Sequence, residues 1–448
     1  MAALQTVGHY WPGLPAALTE MPDTRFKPFI TYDKRFLFWW GELLFLLALA
    51  SRRQLDGDLR DEETEVLGNV NRLARTEQTT LPVHKTLEHF VGHVGSAFWG
   101  ALRTRMLDRP IRMKALDGAR LRGRFVVAID GTGWLCLTER HCKHCLEQKQ
   151  GGKTIYMHQV LEAKLVSPSG LALSMASEFI ENPAGDADPK PKSEEERKQD
   201  CELKAFARLA PEFRKAYPLL PVCITSDSLY GCGPAIQIAK DHRFSYIYVF
   251  KSGRTPALWA DFQGLLKLVP QNTLTVEEPD KTRLVYRWAN RLDYEDTQGR
   301  THRFNALQCT VTRDGKTTLF AWMTDLPLND RTVQDIATKG GRIRSKIENQ
   351  GFNAQKNSGL NLEHAYSKNL EIAKAYYYMI QIAHTIFQFL VLGSLLARLA
   401  RDYGKTAVGL YGALKNIPRR LLDCFRYFVL PDEAFRPPPA MRLRLDTS

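Results

Sequence analysis

Three acidic residues stand where strands and a helix would present them to a shared cation. Asp130 ends the apolar run Arg124-Phe125-Val126-Val127-Ala128-Ile129 and precedes Gly131-Thr132-Gly133, small residues that let a metal and a phosphate approach the backbone. Asp227 ends a second run, Val222-Cys223-Ile224-Thr225-Ser226, and Glu348 sits in the basic, helix-like segment Arg342-Ile343-Arg344-Ser345-Lys346-Ile347-Glu348-Asn349. Carboxylates at the tips of neighbouring buried strands, with a third on a nearby helix, can hold one or two Mg²⁺ ions. Such ions activate an attacking oxygen and stabilise the leaving oxygen of a phosphodiester. Each feature alone is ordinary: Asp is common in turns after strands, and Arg344 with Glu348 has the spacing of a surface i,i+4 ion pair worth a few tenths of a kcal/mol. The joint pattern is what points to chemistry.

A second constellation is Arg140-His141-Cys142-Lys143-His144-Cys145, with His158 further along. Cys142-x2-Cys145 suits a thiolate pair on Zn²⁺, and a tetrahedral site needs two more ligands, which His141 or His144 together with His158 can supply. The competing expectation is reduced cysteines beside a turn. The eight cysteines show no disulfide-like framework, as in a reducing compartment.

The 448 residues allow two or three domains, and 44% hydrophobic with 25% charged residues describes a globular chain rather than a disordered one. The net charge of +13 favours a polyanionic partner, nucleic acid before an acidic membrane. The charge is uneven, with eight Arg/Lys against two Asp over 101–125 and ten against five acidic residues over 397–448. The apolar stretch 36–50 contains Glu42 and is shorter than the roughly twenty residues of a membrane span; 376–399 is interrupted by Gln381, His384, Gln388 and Arg398. Both read as buried helices, and with no targeting segment evident the expected location is the cytosol.

The elements that must position the carboxylates follow from periodicity. Residues 1–118 read as a helical domain, with Leu87, Phe90, Val91, Val94 and Phe98 at helical spacing. Strands are expected at 123–129, 154–161 and 171–179. A Pro- and Asp-rich loop follows over 181–192, then the capping box Ser193-Glu194-Glu195-Glu196 opening a helix to about Ala216. The strand ending at Asp227, a helix over 233–241 and a strand over 246–250 complete the order strand, strand, strand, helix, strand, helix, strand. That is the order of an RNase H-like core with a mixed sheet and flanking helices, so the expected class is α/β. The core occupies 119–254 and 327–400. An antiparallel β insertion spans 255–326, with turns at Asp296–Gly299 and Asp314-Gly315, and a basic tail covers 401–448.

These residues resemble the bacterial insertion-sequence DDE transposases that carry a β-strand insertion before the final Glu, whose signature is Tyr-x2-Arg-x3-Glu-x6-Lys. Arg344-x3-Glu348 matches it; the Tyr position is Gly341 and the Lys position Gln355, with Lys356 one residue later. Ile129-Asp130-Gly131-Thr132, His141-Cys142-x2-Cys145, Gln199-Asp200-Cys201-Glu202-Leu203, Lys346–Asn353 and Asn361-Leu362-Glu363-His364 extend the likeness to a subgroup of these enzymes over about 84–395. The resemblance implies Mg²⁺ or Mn²⁺ on Asp130, Asp227 and Glu348, with Arg344, Lys346 and Lys356 on DNA phosphates. It also implies that Trp288 or Trp322 stacks on a base flipped out near the cut; for both, a place in the sheet core is the rival. The expected activity is cleavage at element ends followed by 3′-OH attack. The expected partners are double-stranded DNA of the terminal inverted repeats and the target, bridged by a homodimer. The N-terminal helices and the basic stretch 103–124 are the expected readers of the ends. A nuclease that only hydrolyses and a catalytically silent DNA-binding protein are the alternatives.

Overall fold

The computed structural model describes residues 1–61, 63–182, 200–406, 409–410, 416–435 and 445. The expected capping box at 193–196 and most of the loop before it lie outside the described residues. The chain forms two compact units. One comprises Met1–Gly118, Trp134–Cys136 and Gln350–Thr447; the other comprises Ala119–Gly133 and Leu137–Asn349.

The second unit is mixed α/β, built on one open sheet of eleven strands. In chain order these are β1 (Arg120–Leu121), β2 (Arg124–Leu137), β3 (Leu146–Gln150), β4 (Lys153–Val166), β5 (Ala172–Ile180), β6 (Val222–Ser226), β7 (Ser245–Val249), β8 (Thr273–Glu277), β9 (Arg283–Glu295), β10 (Thr301–Arg313) and β11 (Lys316–Thr324). Across the sheet they run β3-β4-β2-β6-β7-β11-β10-β9-β8, with β5 also on β4 and β1 on β2. β2, β6 and β7 are parallel neighbours, pairing Phe125 with Val222 and Cys223 with Ser245. The other described pairings are antiparallel. The parallel strands are continuous apolar runs, and all of Val222–Ser226 is buried, as strands covered on both faces require.

Three features differ from the sequence reading. β2 does not stop at Asp130 but runs on to Leu137; what ends near Asp130 is its pairing with β6, whose last partners are Ala128 and Thr225. The strands expected as an insertion extend the main sheet, because β11 lies antiparallel on β7 through Trp322↔Val249. Finally, residues from Gln350 onward, expected to complete the core, cluster with the N-terminal helices. The reason is the helix Leu370–Val391, apolar around most of its circumference, which packs against Lys34–Leu46, His84–Val94 and Ser96–Arg112. No helix among the described residues is long and apolar enough to cross a membrane.

Helix Glu202–Ala216 buries Ala205, Phe206, Leu209, Ala210 and Phe213 along one stripe and packs on β4 and β5. The stretch 333–357 is an irregular helix. π-helical turns at Ile336–Gly341 and Ile347–Asn353 flank a 3-10 turn at Arg342–Arg344, departures from α geometry that recur at functional sites.

Candidate functional site

Asp130, Asp227 and Glu348 lie in the same compact unit and in one electrostatic neighbourhood. Asp130 projects from β2 just past its last β6 partner. Its Oδ1 accepts the Gly131 amide at 3.1 Å and its Oδ2 faces Arg344 Nη1 at 3.3 Å. Asp227 follows β6, where its Oδ1 caps the turn Ser228–Tyr230 by accepting the Leu229 amide at 2.8 Å. Glu348 opens the second π-helical turn, and its Oε1 lies 2.7 Å from Arg344 Nη2. Arg344 therefore bridges two of the three carboxylates with one guanidinium.

A fourth carboxylate joins them. Glu202, first residue of its helix, receives the Tyr230 hydroxyl at 3.4 Å, and its carboxyl occupies the space a Cβ on Gly131 would need. Gly131 thus leaves room for the Glu202 carboxyl, which a Cβ there would displace. Burial raises the Glu202 carboxyl above its ordinary range, and Asp227 adds to the effect. Asp130 is pushed up to about 7, first by burial and then by the charges of Glu202, Glu348 and Asp227, against the opposing pull of Arg344. The site holds more negative charge than its surroundings neutralise, and its donors are all oxygens, which suits a hard divalent cation. Substituting Glu202→Gln should lower metal affinity measured by calorimetry about tenfold while leaving the helix folded, since Gln keeps the bond from Tyr230.

In the sequence Glu202 stood out through the stretch Gln199-Asp200-Cys201-Glu202-Leu203, for which helix capping and dipole effects are an equally good explanation. Its place beside Asp227 comes from Phe206 packing edge-on to Tyr230, with ring centroids 5.4 Å apart. An open cleft of about 520 Å³ starts at Ser228, next to Asp227, and is lined by Lys251, Arg254 and Trp259. This loop after β7 also went unread, because its basic residues follow the strand without a periodic signal.

Two groups of expected DNA contacts are corrected. Trp322 is 2% and Trp288 5% exposed, so neither indole is available to stack on a base. Trp322 of β11 lies against Gly341 so closely that a Cβ there would come within 2.3 Å of the indole. Gly341→Ala should therefore destabilise the unit by about 1–3 kcal/mol in urea denaturation, through overpacking. Lys356 belongs to the other compact unit, where its ammonium is 2.7 Å from Glu363. Its neighbour Gln355 is buried and donates to Gln381 at 2.7 Å. Of the basic stretch 103–124, Arg103 is buried with its guanidinium over Tyr378, while Arg105, Arg109 and Arg112 line the exposed side of helix Ser96–Arg112. Lys346 is half-buried beside Glu348 in sequence.

Among the described residues, the set of three or more ligand side chains whose donor atoms all fall within 4.8 Å of one another is a different one: His141, Cys142, Cys145 and His158. The acidic site is a looser cluster with Arg344 inside it. Compared with protein-family models and with curated proteins, the chain finds no match.

Proposed function

We propose that this chain is a DDE-type DNA recombinase that cuts at the ends of a mobile element and joins the freed 3′-OH to target DNA, acting as a dimer that bridges two ends. The observation that carries this reading is the electrostatic cluster of Asp227, Glu202 and Glu348 about Asp130 beside the parallel strands β2 and β6, with Arg344 paired to Asp130 and Glu348. Supporting it, with β3 set aside, the sequence order β2, β4, β5, helix, β6, helix, β7 and the neighbour order β5-β4-β2-β6-β7 fit the expectation of an RNase H-like core.

Asp130, Asp227 and Glu348 would hold Mg²⁺ or Mn²⁺, with Glu202 at hand to add a fourth carboxylate. When bound, the metal supplies the positive charge that phosphodiester attack needs at its entering and leaving oxygens. The chain's own groups do the positioning. Asp227 is fixed by its capping bond, so its free oxygen is pre-aimed. Arg344, relieved of neutralising Asp130 and Glu348, can turn its planar fork to the phosphate next to the cut. Lys251 and Arg254 track the strand backbone along the cleft, a contact that weakens as salt rises. Trp259, half-buried and edge-on to Phe250 at 5.1 Å, is the aromatic on that cleft for an unpaired base.

The test is incubation of purified chain with Mg²⁺ and a plasmid carrying the inverted repeats that flank its coding sequence. Products joined through a 3′-OH are the expected result. Cut ends that never rejoin would reduce the reading to a nuclease, and intact plasmid bound by the chain would leave a catalytically silent DNA-binding protein.

A further inference from the structure

The cysteine–histidine cluster is independent of the acidic site and better organised for a metal. Cys142 Sγ and Cys145 Sγ are 3.5 Å apart, and His158 Nε2 lies 3.3 Å from the first and 3.6 Å from the second. His141 Nδ1 is 3.4 Å from Cys145 Sγ. With metal–sulfur bonds of about 2.3 Å and metal–nitrogen bonds of about 2.0–2.1 Å, the edges of a tetrahedron come to roughly 3.4–3.8 Å, so these spacings suit four ligands around one Zn²⁺. A disulfide needs about 2.05 Å between sulfurs, and both cysteines are free thiols.

The surroundings add what a zinc knuckle uses. The His144 amide points at Cys142 Sγ at 3.4 Å, a dipole that favours a thiolate there. His158 is fully buried, and its far nitrogen, Nδ1, lies 3.7 Å from Glu181 Oε1, within ion-pair range but beyond a hydrogen bond. His144 is turned away, with Nδ1 3.0 Å from the Asn182 carbonyl. That settles the choice between the two neighbouring histidines in favour of His141.

We propose that His141 Nδ1, Cys142, Cys145 and His158 Nε2 bind a structural Zn²⁺ that clamps the loop between β2 and β3 to β4. Hydrogen bonds extend the clamp. Asn182 donates to the Cys145 carbonyl at 3.0 Å and accepts the Asp200 amide at 3.2 Å, while Asp200 accepts the Glu181 amide at 3.2 Å and is held by Arg208 at 2.6 Å. Asp200 lies two residues before Glu202, so the zinc would fix the start of the helix that carries the fourth carboxylate. All four ligands are spoken for, leaving no open position for catalysis; the role is structural.

Metal analysis of the purified full chain tests this without reference to DNA. About one zinc per chain is expected, and Co²⁺ exchanged into the site should show the intense visible bands of a tetrahedral dithiolate. Cys142→Ser should lose bound zinc more than about tenfold. If that variant fails to fold, His141→Ala, at a partly exposed ligand, should weaken zinc affinity more than about tenfold, whereas His144→Ala should keep it. Removing zinc should also release amide-exchange protection at 180–182 and 200–206. Zinc-free chain with Cys142 and Cys145 joined as a disulfide, or reacting as free thiols at the same rate with and without added zinc, would overturn the proposal.

Discussion

Asp227→Asn should abolish metal-dependent cleavage, by roughly 10²–10³-fold or more, while leaving the fold and DNA binding intact. The separation follows from how the two carboxylate oxygens are used. Oδ1 accepts the Leu229 amide at 2.8 Å and caps the turn after β6. An Asn side chain keeps an oxygen there, so the turn keeps its cap. The other oxygen becomes an amide nitrogen, which has no lone pair to offer a cation. The surrounding charge also changes in an instructive direction: Asp227 raises the proton affinity of both Asp130 and Glu202, so its removal relaxes the metal-free site. The variant should therefore be no less stable than the parent by thermal melting, and its binding to end DNA should stay within about threefold. The rate of plasmid cleavage in Mg²⁺ is the measurement. A rate within tenfold of the parent would remove Asp227 from the site.

The strands that matter most were legible because they are uninterrupted apolar runs, a pattern only a covered sheet explains. Turn chemistry was equally readable. Asp314 and Gly315 both have left-handed backbones, φ 49° and 73°, and close the β10–β11 hairpin with Arg313 opposite Lys316. What stayed hidden is non-local. Alternation marks β9–β11 as strands, but nothing in it says that β11 pairs with β7, because an edge strand's partner is chosen by the sheet it meets. Glu202 is hidden for the same reason, since its approach to Asp227 depends on a helix packing across a turn some twenty-five residues away. Gly341 is explained the same way: the space beside it is taken by Trp322 of β11, reached through the very strand pairing that the sequence does not disclose. Lys356, one residue beyond the signature position, has a partner the sequence did not disclose, Glu363 at 2.7 Å.

In the absence of divalent metal, the chain should lose stability as pH rises from about 4 to about 8, and Asp130→Asn should remove much of that loss. Burial and three neighbouring carboxylates push Asp130 up to about 7 in the folded chain, against an ordinary value of 3.8. A carboxyl whose folded value is raised binds its proton more tightly in the native state. Its contribution to stability is therefore complete below about 4 and disappears as pH climbs through about 7. The size is at most a few kcal/mol, since each tenfold gain in proton affinity is worth about 1.4 kcal/mol and Arg344 offsets part of the cost. Urea denaturation in chelator at pH 5 and pH 8 measures it, and comparison with Asp130→Asn cancels the titration of groups remote from the cluster, leaving the contribution of Asp130 with its coupled neighbours. Asn presents no charge to bury, so the variant should be the more stable of the two at pH 8 and nearly equal at pH 5. Adding Mg²⁺ at pH 8 should then restore the parent but not the variant, because the cation supplies the positive charge that the proton provided at low pH. Equal pH slopes in the two proteins, or stabilisation of both by Mg²⁺, would mean that the carboxylates do not share one under-neutralised pocket.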